Sequence, residues 1–357
     1  MNKKKRNNKI RIVLAIVLLF FVVVFGVNSY FMGAVNSSAT TKVDFSINKN
    51  ETAEGVLTNL EKEGLIKSKT YAKIYVKLFN KANFKAGVFE LSQSQNLRSI
   101  IETINSISNA KSVNVTFLEG YRVTDYARVA EENLGINKAD FLRLCNDQAF
   151  INELKNNYEV IKRYNFNAKA IYQLEGLLAP DTYNVAHNTT AKALLEMLVA
   201  QTNKVYLENK ALFDKSTLSL NEIYTLASIV EAEVSTNEDR VLVASIFMNR
   251  IREKMPLGSD ATTYYGLQID MASRELTSSE LMEENGYNTR SNMIGLPVGP
   301  INSPSTQSIK AALNYYKTDY LYFVNDKNGK TYPSKTYQEH QKIIEKLKKD
   351  GLWFTHE

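Results

Sequence analysis

The chain has 357 residues, 44% of them apolar, enough for about two domains with cores of their own. Its formal charge of +6 is confined to the start: Lys3, Lys4, Lys5, Arg6, Lys9 and Arg11 stand among the first eleven residues with no acid, and the remainder balances at 38 basic and 38 acidic residues. No basic groove for a phosphate backbone is left, which excludes nucleic acid as the expected partner.

In chain order, the basic tail (1–11) leads into IRIVLAIVLLFFVVVFGVNSYFMGAV, where residues 12–27 form an unbroken apolar run. About 20 apolar residues cross a bilayer core. A secretory signal peptide shares the basic start, and Ala34, Ser37 and Ser38 supply small residues for cleavage. The apolar length favours a retained transmembrane helix over 12–35, with the N-terminus cytoplasmic by the positive-inside rule and the rest of the chain extracytoplasmic.

A polar linker (36–42) precedes VDFSI, which alternates like a strand. Helical patterns follow over 50–66 and 69–79, then a strand GVFEL and a helix over NLRSIIETINSI. This small α+β subdomain, 43–110, holds no cluster of acid, base and nucleophile and reads as a binding or spacing module. A larger mixed α+β domain, 111–357, opens on the strand VNVTF, with helices over 141–156 and 190–208. Between them Pro180 and the Asp-Thr-Tyr run predict an ordered loop over 174–185, where Glu175 is a candidate buried anchor, as is Glu119 earlier, with a second carboxylate for the chemistry as the alternative role of either. Ser219 and Glu222 form a capping box for the next helix, and Ser235 with Glu238 predicts a second. Residues 254–302 are loop-rich, and Asn328-Gly329 marks a hairpin between DYLYFV and KTYP.

The single cysteine, Cys145, rules out an intramolecular disulfide and reads as a small buried hydrophobe. His187, His340 and His356 lack ligand spacing, so no metal is expected. The glycine-rich phosphate and dinucleotide signatures and the serine-hydrolase elbow are missing from the sequence, and no cofactor is expected.

One helix asks for explanation: LASIVEAEVS, residues 226–235, carries Glu231 and Glu233 against an apolar stripe of Ile223, Leu226, Ala227, Val230 and Val234. On a helical wheel the two acids fall about 80° to either side of Ile223. Periodicity does not choose between them. Desolvation at that border is expected to raise a carboxyl pKa and suit it to proton donation.

The run LASIVEAEV, followed by EDRVLVASIFMNRIREKMPLGSDATTYYG, NTR, GLPVGPI, AALNYYKTDYLYFV and EHQ, resembles the endolytic murein transglycosylase family, the YceG-like proteins. The resemblance is dense over 115–345 and looser over 43–110, where it implies a LysM-like subdomain. It implies an enzyme that cuts murein glycan strands, with the catalytic glutamate directly after the Ile-Val pair, at Glu231, and Glu233 in support. Asn249, Asp260, Thr262, Tyr265 and Asn288 are candidates for the glycan cleft, since amides, hydroxyls and a carboxylate can bond sugar hydroxyls and acetamido groups. Gly295, Pro297, Gly299 and Pro300 are expected to shape a loop. The sequence departs from the family at Ala261, which stands for a proline, at Arg290, which stands for a tyrosine, and at Tyr315, which stands for a proline.

Ordinary glycosidases need two carboxyl groups. The resemblance implies chemistry that needs one: the muramoyl C6 hydroxyl attacks C1 of the MurNAc–GlcNAc β-1,4 bond, giving a 1,6-anhydro end. Glu231 is expected to protonate the leaving oxygen and then take the hydroxyl proton, with a raised pKa. The expected partners are glycan strands and the membrane, with synthases or division proteins as candidate protein partners. A hydrolytic muramidase and a wall-binding scaffold without turnover are the alternatives.

Overall fold

A computed structural model describes residues 3–353 except Lys49 and Ser235, with side chains from residue 12 onward. The side chains of the basic tail and the cap expected at Ser235 lie outside the described residues. The chain folds as two compact units, Met1–Val113 with Asn184–Thr189, and Asn114–Tyr183 with Thr190–Glu357.

The first unit begins with α1 (Lys3–Met32). Its segment Ile12–Met32 is 21 residues long with a mean hydropathy of 2.8 and none of it buried. That length and composition suit either a membrane anchor or a signal sequence. The antiparallel strands β1 (Lys42–Ile47) and β2 (Gly87–Ser92) pair with Phe45 opposite Phe89, and both rings are buried. Between them lie α2 (Ala53–Lys62) and α3 (Lys69–Leu78), started by Thr52 and Ser68, whose hydroxyls accept backbone N–H bonds. After them comes α4 (Leu97–Ile104), with Leu97, Ile100, Ile101 and Ile104 buried at the spacing of one helical face. Each such side chain contributes about 1.5–3 kcal/mol by leaving water.

Strand β3 (Ser112–Phe117) forms a second two-stranded sheet with β4 (Asp181–Ala186), and the division between the units runs through both strands. The loop expected over 174–185 is therefore in part a strand: Pro180 sits immediately before β4, where a missing N–H costs no ladder bond.

The second unit is mostly helical. It runs through α5 (Val123–Leu134), α6 (Lys138–Leu144), α7 (Gln148–Asn157) and α8 (Glu159–Arg163), then α9 (Ala191–Glu208) and α10 (Lys210–Lys215). The single helix expected over 141–156 is broken at Asp147, whose carboxylate caps α7 through the Phe150 N–H. Cys145 closes α6, fully buried, and burial pushes its thiol well above the ordinary range. Next come α11 (Leu220–Glu233) and α12 (Asn237–Arg252), the short α13 (Asp260–Gly266) and α14 (Ser278–Met282), and α15 (Thr306–Leu313). The hairpin β5 (Tyr322–Asn325) and β6 (Thr331–Ser334) and the helix α16 (Tyr337–Lys349) complete it. The hairpin turns at Gly329, which adopts φ +79°, as the Asn-Gly pair predicts.

The capping box at Ser219 and Glu222 is present. Helix α11 is buried more widely than the apolar stripe predicts: Tyr224, Thr225, Ser228 and Ile229 are interior along with the stripe residues, while Val234 lies beyond the helix in extended backbone. The middle of the helix, residues 223–230, is enclosed as in a core helix, and its hydroxyls serve neighbours. Ser228 Oγ accepts from Ile301 N–H at 3.0 Å, and its carbonyl accepts from Asn302 Nδ2 at 2.8 Å, which fastens the GLPVGPI loop to α11. The same loop presses Pro300 against Gly176, where φ is +76° and a Cβ would meet the proline ring at 2.5 Å. Only glycine fits there.

Candidate functional site

The last turn of α11 delivers both glutamates to one groove of about 360 Å³, lined also by Val234, Arg240, Asn325 and Gly329. The hairpin is tied to this turn by Asn325 Nδ2, which donates to the Glu233 carbonyl at 2.8 Å. Their surroundings separate two acids that the helical wheel leaves equivalent.

Glu231 forms an ion pair with Arg240 at 3.0 Å, with side-chain exposures of 7% and 13%. Its other oxygen accepts the Ser305 N–H at 2.7 Å, just before the first turn of α15, where the helix end favours negative charge. Arg240 is itself held by Ser308 Oγ at 3.0 Å and by Asn237. Burial pushes the Glu231 carboxyl upward, but the bonds from Ser305 and Ser308 and the charge of Arg240 outweigh it and hold the group below the ordinary carboxylate range. The expected raised pKa is thus corrected: the apolar border is there, but donors fill the space around the carboxylate.

Glu233 has the opposite balance. Burial drives its carboxyl up, and a hydrogen bond from Ser259 Oγ at 2.6 Å, together with the more distant Arg250 and Arg290, offsets this only in part. Of the two acids, Glu233 is biased toward holding a proton and Glu231 toward resting ionised.

Replacing Arg240 with Gln is expected to raise the Glu231 carboxyl back toward the ordinary carboxylate range, read from the pH titration of its side-chain ¹³C resonance. By linkage, a folded-state pKa below the unfolded value contributes stability that is present above the unfolded pKa and lost as pH falls through the folded one, so Arg240→Gln weakens that contribution. An unmoved titration would assign the shift to Ser305 and Ser308 alone.

The five candidate cleft residues fall differently. Asp260 is exposed, paired with Arg290 at 2.7 Å, and lines a neighbouring cavity. The other four are interior, which corrects the expectation that they meet sugars directly. Asn249 Nδ2 bonds the Thr318 and Tyr320 carbonyls and fixes the approach to β5. Thr262 and Thr289 share a hydroxyl bond of 2.8 Å. Tyr265 donates to Glu175 at 2.9 Å, and Asn288 bonds Thr263 and three backbone carbonyls between residues 280 and 283. Asn249 lies on α12 and Thr262 and Tyr265 on α13, and buried polar groups of this kind need partners, which here the protein itself supplies.

Glu175 is a buried anchor as expected, whereas Glu119 is exposed. Glu339 closes the capping box of α16 with Thr336. Sequence reasoning missed Arg240 and Ser305, the groups that set the state of Glu231. Arg240 lies in the first turn of α12 and carries no local signal of a buried partner. Ser305 reads only as a helix cap.

A family model described as the YceG-like family matches residues 45–346. An endolytic murein transglycosylase of Bacillus subtilis is 31% identical over 314 residues, covering 87% of this chain and 86% of that protein. One from Streptococcus pneumoniae is 28% identical over 328 residues, and the match spans 59% of its length, so the chain matches about three fifths of that relative. A 2.6 Å crystal structure of a YceG-like protein from Listeria monocytogenes aligns with TM-score 0.60 and 30% identity, covering 85% of this chain and all of that one.

Proposed function

Because this chain belongs to the YceG-like family, we propose that it is an endolytic murein transglycosylase that cuts nascent glycan strands internally and ends them as 1,6-anhydroMurNAc. The observation that carries the reading is the Glu231 carboxyl at the wall of an open groove, fixed through both oxygens by Arg240 and the Ser305 N–H. A carboxyl held in one orientation is what general acid catalysis at a glycosidic oxygen requires.

In this mechanism Glu231 gives its proton to the leaving oxygen as the C6 hydroxyl attacks C1, and the carboxylate then accepts the hydroxyl proton. The nucleophile belongs to the substrate, so water need not be activated. A carboxyl held below the ordinary range is protonated in only a small fraction of the resting enzyme at neutral pH. Cleavage therefore accelerates as pH falls toward the Glu231 pKa, and Arg240→Gln moves that limb of the rate profile to higher pH.

Residues 1–11 are assigned to the cytoplasm, 12–35 to the bilayer and the remainder to the outer side, an orientation supported by the six cationic residues before the apolar run. Residues 43–110 are assigned as a LysM-like module, supported by the strand–helix–helix–strand order of β1, α2, α3 and β2. Anchoring fits a role in ending strand elongation, because it keeps the cleft near growing murein.

Mass spectrometry of digested glycan strands tests the reaction. Anhydro ends are expected. Reducing ends would make the protein a hydrolase, and unaltered strands would leave only a binding role.

A further inference from the structure

Sharing Glu233 and Asn325 with the Glu231 groove, a second cavity of about 610 Å³ adjoins it within the second unit. Its lining includes the aromatic rings of Tyr322, Tyr337 and Trp353 and the guanidinium of Arg250. The guanidinium is half-buried and held in one plane: Nε donates to the Leu321 carbonyl at 2.6 Å, another nitrogen donates to the Leu257 carbonyl, and the group lies 5.4 Å from the centre of the Tyr322 ring.

Arg250 has no carboxylate within ion-pair distance among the described residues. The acids in the same lining are committed elsewhere. Asp260 pairs with Arg290, and Glu233 accepts from Ser259. Burial lowers the Arg250 pKa, yet a guanidinium does not give up its proton in a protein, so the charge persists with Glu233 acting on it only from beyond ion-pair distance. A half-buried, oriented cation that opens on a cavity is an anion site, and its fork geometry suits a carboxylate.

We propose that this cavity is a saccharide subsite that selects a carboxylate-bearing sugar, with the carboxylate on Arg250 and the sugar ring against Tyr322, Tyr337 and Trp353. It rests on the glycan-cleaving reading above, because the two cavities then hold successive sugars of one strand. A muramoyl residue supplies the chemistry in either of two ways: through its free lactyl carboxylate when it carries no peptide, or through the carboxylates of an attached stem. Aromatic faces give contact area to the apolar face of a sugar, and the charge selects which sugar enters.

Trp353 is the only tryptophan in the chain, so its fluorescence reports on this cavity directly. The full-length protein carrying Glu231→Gln, in detergent micelles, is titrated with chitotetraose, with a stem-less GlcNAc–MurNAc tetrasaccharide, and with the same tetrasaccharide bearing its stems. The muramoyl sugars are expected to change the emission at about tenfold lower concentration than chitotetraose, the size of one charge-assisted hydrogen bond. Arg250→Gln is expected to erase that difference, and Arg250→Lys to keep part of it.

Because Arg250 also ties two backbone carbonyls, Tyr337→Ala provides an independent arm. Its exposed ring can be removed without unpairing a buried group, and the loss should weaken all three sugars alike while leaving their order unchanged. A preference shown only by the stem-bearing form, and lost in Arg250→Gln, supports the subsite and assigns the carboxylate to the stem. Equal responses to chitotetraose and the muramoyl sugars, or a flat emission during normal wild-type cleavage, would overturn the subsite and leave the enzyme reading intact. Cleavage that persisted in Glu231→Gln would overturn the Glu231 assignment, and an Arg250-dependent preference would still stand.

Discussion

Glu231→Gln lowers the release of anhydro-ended glycan by about three orders of magnitude, the scale of a positioned general acid. The substitution removes the transferable proton and keeps the side chain's shape, so the loss is chemical in origin. It is not free of structural cost. The carboxylate uses one oxygen for Arg240 and the other for the Ser305 N–H, and an amide has a single oxygen to offer. One buried donor is left unmatched, which costs about 1–3 kcal/mol of stability. The variant should therefore melt earlier than the wild type but cooperatively, and circular dichroism at the assay temperature establishes that inactive protein is still folded. Folded protein that continued to cleave would remove Glu231 from the mechanism, and Glu233, biased toward its protonated form in the same groove, would be the next acid to substitute.

What could be read from the sequence was local. The spacing of Leu97, Ile100, Ile101 and Ile104, the Ser219–Glu222 box and the Asn328-Gly329 turn each depend on neighbours a few residues away, and each stands where the pattern places it. The family, too, was legible in an ordered series of short runs. What failed depended on distant contacts. The lowered Glu231 carboxyl is set by Arg240, nine residues on, and by Ser305, 74 residues on, and neither position alters the helical periodicity of α11. The same blindness turned Asn249, Thr262, Tyr265 and Asn288 into apparent cleft residues, because a polar side chain that bonds its own protein has the same one-letter code as one that awaits a sugar. Desolvation can be guessed from an apolar neighbourhood, but the hydrogen bonds that reverse it have to be seen.

Glu175 sets the second large effect, on stability rather than catalysis. It is fully buried: one oxygen accepts the Val123 N–H at 3.0 Å and the other the Tyr265 hydroxyl at 2.9 Å, which joins the start of α5 to α13. Burial raises its pKa from 4.5 to about 8, against the downward pull of Tyr265, the Val123 N–H and Arg122. An acid whose folded pKa lies above its unfolded value holds its proton more tightly in the folded state. Its contribution is complete below about pH 4.5 and is lost as pH rises to about 8, beyond which it is flat. Over that window the protein should lose on the order of 4 kcal/mol of folding free energy from this group alone. Glu175→Gln removes the titration while keeping an oxygen for the Val123 N–H, so urea unfolding at pH 5, 6.5 and 8 should show a falling wild-type midpoint and a flatter one for the variant. The two curves should converge toward pH 5, where the wild-type side chain is neutral in the folded state and only partly ionised in the unfolded one. Parallel slopes would mean that the folded protein keeps Glu175 ionised at neutral pH, with Arg122 nearby sustaining a buried charge that the two hydrogen bonds alone do not.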